Sequence, residues 1–193
     1  GSNVTKVPTL REDGAYYLKI PRIDGPVILD LRLVRDISTV NVLATEETGS
    51  IYGNLTLTGE ITTAPIKITA QYGTEYNTKL ILEKESNDTT LKSLTAQEGT
   101  ITKVTGISAS IYEIEVDSRV TEITISAEPT HENAKVRVFG DEGGYASTLT
   151  DKVINIENKD YIDIEVLAED GVSQQTHILD IIRTYEAIVD NVK

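Results

Sequence analysis

The chain has no cysteine, no methionine and no tryptophan, and only one phenylalanine. Without a thiol there is no disulfide, no cysteine nucleophile and no cysteine-ligated zinc or iron–sulfur centre. Histidine is nearly as scarce: His131 and His177 stand in separate contexts and offer no His-x3-His metal spacing. No Gly-x-Ser-x-Gly nucleophile elbow occurs. Cations are outnumbered, with 18 Lys and Arg against 31 Asp and Glu, leaving a formal charge of -13. That balance is the reverse of the basic footprint that nucleic acids and anionic membranes select, so neither is expected as a partner. No apolar run approaches the roughly 18 residues of a membrane-spanning helix. The opening "GSNVTKV" has none of the features of a signal peptide. Gly1 and Ser2 read as a cloning scar, so the chain is expected to be a fragment whose export signal and anchor lie elsewhere.

Hydrophobic residues make up 39% of the chain and charged residues 25%, a composition that folds. Apolar and polar residues alternate in short runs such as "LTLTG", "VRV" and "IDIEV", the period of a half-buried strand. Thr, Val and Ile dominate these runs, and turn residues separate them at regular spacing, which predicts antiparallel β-sandwiches rather than βαβ units. The tail "HILDIIR" reads as a closing strand, and no long segment has a helical period.

The chain also repeats itself. Residues 28–44 lie over 111–127 without a gap, Leu31 on Ile114, Leu33 on Val116, Val40 on Ile123 and Ala44 on Ala127. The match continues with Gly59 on Gly140, then with "ITAQYG" on "VLAEDG", where Ala70 meets Ala168, Gly73 meets Gly171 and Thr78 meets Thr176. On this alignment the second copy carries an extra stretch that includes "DEGGYASTLT". Gly73 and Gly171 are placed at equivalent hairpin turns, because a tight reversal needs a residue tolerant of positive φ. Two copies of one all-β module are expected, about 3–86 and 91–184, with "KESNDTTLKS" as a polar linker and 185–193 as a tail or the start of a linker.

The second copy resembles the bacterial cadherin-like β-sandwich domain. The features that carry the resemblance are Leu91, Leu94, Gly99 and Thr100 at its start, then Tyr112 leading into Ile114 and Val116. Ala134, Val136, Val138 and Gly140 follow, and Ala168 to Gly171 and Arg183 close the module. The first copy is more divergent, with Leu29 in the place given to Tyr112. The resemblance implies a fold class of two tandem antiparallel immunoglobulin- or cadherin-like β-sandwiches. It further implies a non-catalytic module of a bacterial surface or secreted protein, acting as spacer or adhesion domain beside other domains of the same protein. Neither a cofactor nor a metal is implied.

The residues themselves leave a second reading open, a carbohydrate-binding module that recognises cell-wall or extracellular polysaccharide. Sandwich lectins stack exposed aromatic rings on sugar faces, and nine tyrosines carry nearly all the aromatic content here. Tyr72 and Tyr76 flank the Gly73 turn where the second copy has Asp170 and Gln174, and Tyr145 sits in the Gly-rich "DEGGYAS". These three are the candidate ligand residues. Acidic clusters at Glu46-Glu47, Asp141-Glu142, Asp160 with Asp163, and Glu169-Asp170 raise calcium, but no EF-hand loop is present and a solvated acidic face accounts for them.

Overall fold

The computed structural model describes residues 8–22, 25–28, 39–42, 54–57, 59–69, 74–106 and 110–185, with 25–28, 39–42, 54–57 and 68–69 described by backbone alone. The chain divides into two compact units, Gly1–Glu85 and Ser86–Lys193.

The first unit contains β1 (Thr9–Leu10), β2 (Tyr16–Ile20), β3 (Gly25–Ile28), β4 (Thr39–Val42), β5 (Asn54–Leu57), β6 (Ile61–Thr69) and β7 (Glu75–Lys84). One sheet runs β1-β2-β7-β6-β4, and β3 pairs with β5. Its described core includes Ala64, Ile66, Leu80 and Leu82, alternate residues on the two longest strands. Pairing sets Ala64 opposite Leu80 and places both on one face, as the period of two requires.

The second unit contains β8 (Leu91–Ala96), β9 (Ile101–Lys103), β10 (Ile111–Asp117), β11 (Glu122–Pro129), β12 (Lys135–Val138), β13 (Leu149–Asn155), β14 (Tyr161–Leu167) and β15 (Gln174–Thr184). Its sheets run β12-β14-β15-β10-β9 and β13-β11-β8. Tyr112, Ile114 and Val116 of β10, Ile123 and Ile125 of β11, Ile162, Ile164 and Val166 of β14, and Leu179 and Ile181 of β15 form one buried cluster. Each fully buried aliphatic side chain of this kind contributes about 1.5–3 kcal/mol. The closing strand expected at "HILDIIR" is β15.

Pairing corrects the internal alignment. β2, β3, β4, β5, β6 and β7 are bonded to one another as β10, β11, β12, β13, β14 and β15 are. The counterpart of β10 is therefore β2, with Tyr16 across from Leu80 as Tyr112 is across from Leu179. Likewise β4 takes the place of β12: Val42 opposes Ile66 as Val138 opposes Ile164. The alignment of Val40 with Ile123 does not hold, since β4 and β11 lie in differently bonded sheets. Leu31 and Leu33 fall outside the described residues. The extra stretch disappears too, because 139–148 after β12 is matched by 43–53 after β4. Gly59 precedes β6 whereas Gly140 follows β12, so they are not equivalents.

Among the described residues pairing is antiparallel except at one place in each unit, where β2 lies parallel to β7 and β10 parallel to β15. An early strand meets the last strand there. The whole module acts as the long connection a parallel pair needs.

Two glycines have structural work. Gly171 takes φ 68 in the β14–β15 connection, where its amide donates to the Ala168 carbonyl at 3.1 Å, and Ala168 is buried. A Cβ there meets nothing within 4 Å, so Gly171→Ala is expected to cost only the backbone term, about 1 kcal/mol. Thermal unfolding checks this, and an unchanged midpoint would sink it. Gly99 is different: a Cβ would lie 2.7 Å from the Glu115 carbonyl oxygen and 3.1 Å from Ile114 Cγ1. Its φ is ordinary and its need is space. Gly73 lies outside the described residues.

The stretch expected as a linker is tied to the second unit. Ser86 N–H donates to Glu169 Oε2 at 2.8 Å, Asp170 N–H donates to the Ser86 carbonyl, and Thr130 N–H donates to the Thr90 carbonyl.

Candidate functional site

Tyr76 lies on β7 in phase with Leu80 and Leu82, directly opposite Ile68, yet it is 59% exposed. It stands where the core stripe of the first unit runs out toward the β6–β7 connection. Tyr72 lies outside the described residues. By register the counterpart of Tyr76 is Gln175, which opposes Val166, rather than Gln174; Thr78 likewise shares the place of His177 rather than Thr176. Thr78 Oγ1 donates to the Gly14 carbonyl at 2.6 Å, so this position ties β7 to the approach to β2.

Tyr145 is occupied by its own unit. Arg137 on β12 donates from Nε to Glu165 Oε2 at 2.5 Å, and its guanidinium lies 4.5 Å from the Tyr145 ring centroid. The Tyr145 hydroxyl donates to Glu165 Oε2 at 3.4 Å, and Gln174 Nε2 donates to Glu165 Oε1 at 2.9 Å. Burial, with the Glu165 charge beside it, pushes the Tyr145 hydroxyl up and keeps it a donor. The ring therefore covers an ion pair. Phe139, 58% exposed, lies 5.8 Å from the same guanidinium and is the aromatic available to solvent here.

Glu165 is what the sequence hid. It is buried although its strand phase points it away from the core, as Asp163 is pointed. Burial of a carboxylate requires a partner. Arg137 stands directly opposite it in the β12–β14 register, a cross-strand pairing invisible before β12 and β14 are known to be neighbours.

Three of the carboxylates that suggested cation binding, Asp141, Glu169 and Asp170, serve the protein's own groups. Asp141 holds Lys152 Nζ at 2.5 Å. Asp170 accepts from the amides of Val172 and Ser173 at 2.9 and 2.7 Å, closing the β14–β15 turn. Glu169 accepts from Ser86 N–H and from Asn133 Nδ2. Among the described residues no three His, Asp or Glu side chains gather as a metal site; Glu46 and Glu47 lie outside them. No helix among the described residues is long and apolar enough to cross a membrane.

No curated protein matches the chain. Among solved structures, it is similar to extracellular cadherin domains 3–6 of protocadherin gamma B2, at 9% identity and TM-score 0.37, covering 89% of this chain and 51% of that one. It is also similar to domains EC22–24 of mouse cadherin-23, at 10% identity and TM-score 0.34, covering 91% and 65%. The chain thus spans between half and two thirds of those fragments. Residues 108–184, running from just before β10 to the end of β15, match the family described as the cadherin-like beta sandwich domain.

Proposed function

We propose that the chain is a non-catalytic structural and adhesion module, displayed outside the cell on a bacterial surface protein or a secreted one, where both units act as tandem spacers between neighbouring domains. The family match at 108–184 supports an adhesion or structural module in its coarser form. The observation that carries the non-catalytic reading is how the second unit uses its buried and half-buried polar groups. Glu165 is taken by Arg137 and Gln174, His177 by the Thr89 carbonyl, and the Arg183 guanidinium by the carbonyls of Val120 and Ile156. Each is used to hold strands and connections together. A catalytic site instead aims such groups at one concave place.

One observation favours a second reading, a carbohydrate-binding module: Tyr76 is a large ring left 59% exposed at the end of a core stripe, with Tyr72 four residues before it in the chain. A panel of bacterial cell-wall and plant polysaccharides, run by affinity electrophoresis and calorimetry with and without calcium, separates the two. The expected outcome is no saturable binding, with Tyr76→Ala within about 0.5 kcal/mol of the parent in stability, as for an exposed side chain. Saturable binding lost in Tyr72→Ala/Tyr76→Ala would replace the spacer reading.

A further inference from the structure

Of the two histidines, His177 bonds directly to the five-residue segment 86–90, which enters the second unit ahead of β8, and His131 is linked to it through Glu169. His177 on β15 is 1% exposed, and its Nε2 lies 2.8 Å from the Thr89 carbonyl oxygen. That oxygen can only accept, so Nε2 carries the proton and Nδ1 is the basic nitrogen of the neutral ring. Nδ1 is buried and has no hydrogen-bond partner in the protein. Beside this anchor, Thr89 Oγ1 donates to Gln175 Oε1 at 3.0 Å, and the Thr130 hydroxyl donates to Thr90 Oγ1 at 2.7 Å, the Thr90 proton being taken by Asp88. At the other end Ser86 is held by Glu169, whose carboxylate lies 3.7 Å from His131 Nε2.

The geometry points to an acid-released strap: residues 86–90 are fastened over the second unit while His177 is neutral, and protonation of its imidazole unfastens them. A proton arriving at Nδ1 creates a buried cationic N–H with no acceptor, and the ring must then move or reach water. The Thr89 carbonyl favours the charge through its hydrogen bond, but burial, the larger influence, and the rest of the surroundings oppose it. Ile164 lies across from it on β14, the Tyr112 ring on β10 is 6.1 Å away, and the Lys103 ammonium on β9 is the charge that bears on it. Burial accordingly pulls the His177 pKa below 6.5, and burial keeps the Tyr112 hydroxyl protonated. Within the strap, Asp88 is bound by the amide and hydroxyl of Thr90, which hold its carboxyl low and ionised. The second imidazole, His131, faces Glu169 at the other end of the strap. At 3.7 Å, with the His131 side chain about a quarter exposed, that pair is the weaker influence.

The sign follows from linkage. A histidine whose folded pKa is depressed is protonated more readily in the opened chain. The strap is therefore fully held above pH 6.5 and loses hold as pH falls from 6.5 through the lower folded value.

The test is nuclear magnetic resonance on the full chain between pH 7.5 and 5.0, reading both imidazole titrations and amide exchange corrected for intrinsic rate. His131→Asn assigns the two rings. Amides of Ser86, Thr130 and Asp170, which bond from or to the strap, are expected to lose at least tenfold protection as the His177 ring titrates. The Gly171 amide, bonded within its own turn, should not change in step. His177→Gln keeps a neutral donor near Thr89 and is expected to hold protection flat across the range. Unchanged protection while His177 titrates would overturn the proposal. So would the same acid loss in His177→Gln, which would move the trigger to Glu169 and His131. If His177→Gln does not fold, the coincidence of ring titration and strap exchange in the parent decides alone.

Discussion

Replacing Ile164 by alanine is expected to destabilise the second unit by about 3–4 kcal/mol, and by valine about 1 kcal/mol. Ile164 is fully buried at the middle of β14, opposed on one side by Val138 of β12 and on the other by His177 of β15. Truncation there loses the transfer free energy of three carbons and leaves a cavity. Strands bonded on both sides cannot close over it without breaking ladder hydrogen bonds, so the cost belongs at the upper part of the usual range. For a unit of this size the midpoint should fall by roughly 15 °C. The chain has no tryptophan, so the measurement is urea unfolding read by hydrogen exchange in peptides covering β14 and β15. An Ile164→Ala protein that unfolds with the parent would mean that β14 is not a tightly packed interior strand of the second unit's larger sheet.

Strand positions were readable because alternation is local. β10 and β11 write their buried residues at every second position, as β14 does its apolar ones, and composition alone then selects an all-β fold. Equivalence between strands is another matter. A strand, a turn and another strand look alike wherever they occur, so 28–44 could be laid over 111–127 with most apolar residues in phase and still be the wrong pair. The signal that would have found the right one is Tyr16 with Leu18 and Ile20, the same tyrosine-led alternation as Tyr112, Ile114 and Val116. Only the parallel pairing of each set with its last strand shows that they share a place. The candidate site was legible to a lesser degree. Tyr76 is exposed, as a ligand platform needs, but Tyr145 is drawn into contact with Arg137 and Glu165, residues far from it in sequence. The roles of Glu165 and His177 depend on what lies across the sheet or over it, and no local pattern encodes that.

Arg183→Met is expected to cost about 2–4 kcal/mol, although it removes no apolar contact area of note. Arg183 sits near the end of β15 and sends Nη1 to the Val120 carbonyl at 3.0 Å and Nη2 to the Ile156 carbonyl at 2.5 Å, with Ser118 O at 3.5 Å from Nη1. Val120 belongs to the β10–β11 connection and Ile156 to the β13–β14 connection, so one planar fork fastens the last strand to two crossings. Methionine keeps the length and removes the donors, leaving both carbonyls to find water at a closed end of the sandwich. Lysine should recover only part of the loss, since a single ammonium cannot reproduce the fork. Because the partners are neutral carbonyls and not a carboxylate, raising the salt from 0.05 to 1 M should leave the Arg183 contribution nearly unchanged. An ion pair would be screened over that range. Unfolding free energies of the three proteins at both salt concentrations make the comparison. A salt-sensitive difference, or none at all between arginine and methionine, would show that the connections are held by their own backbone turns and that the arginine closing the family pattern is dispensable to the fold.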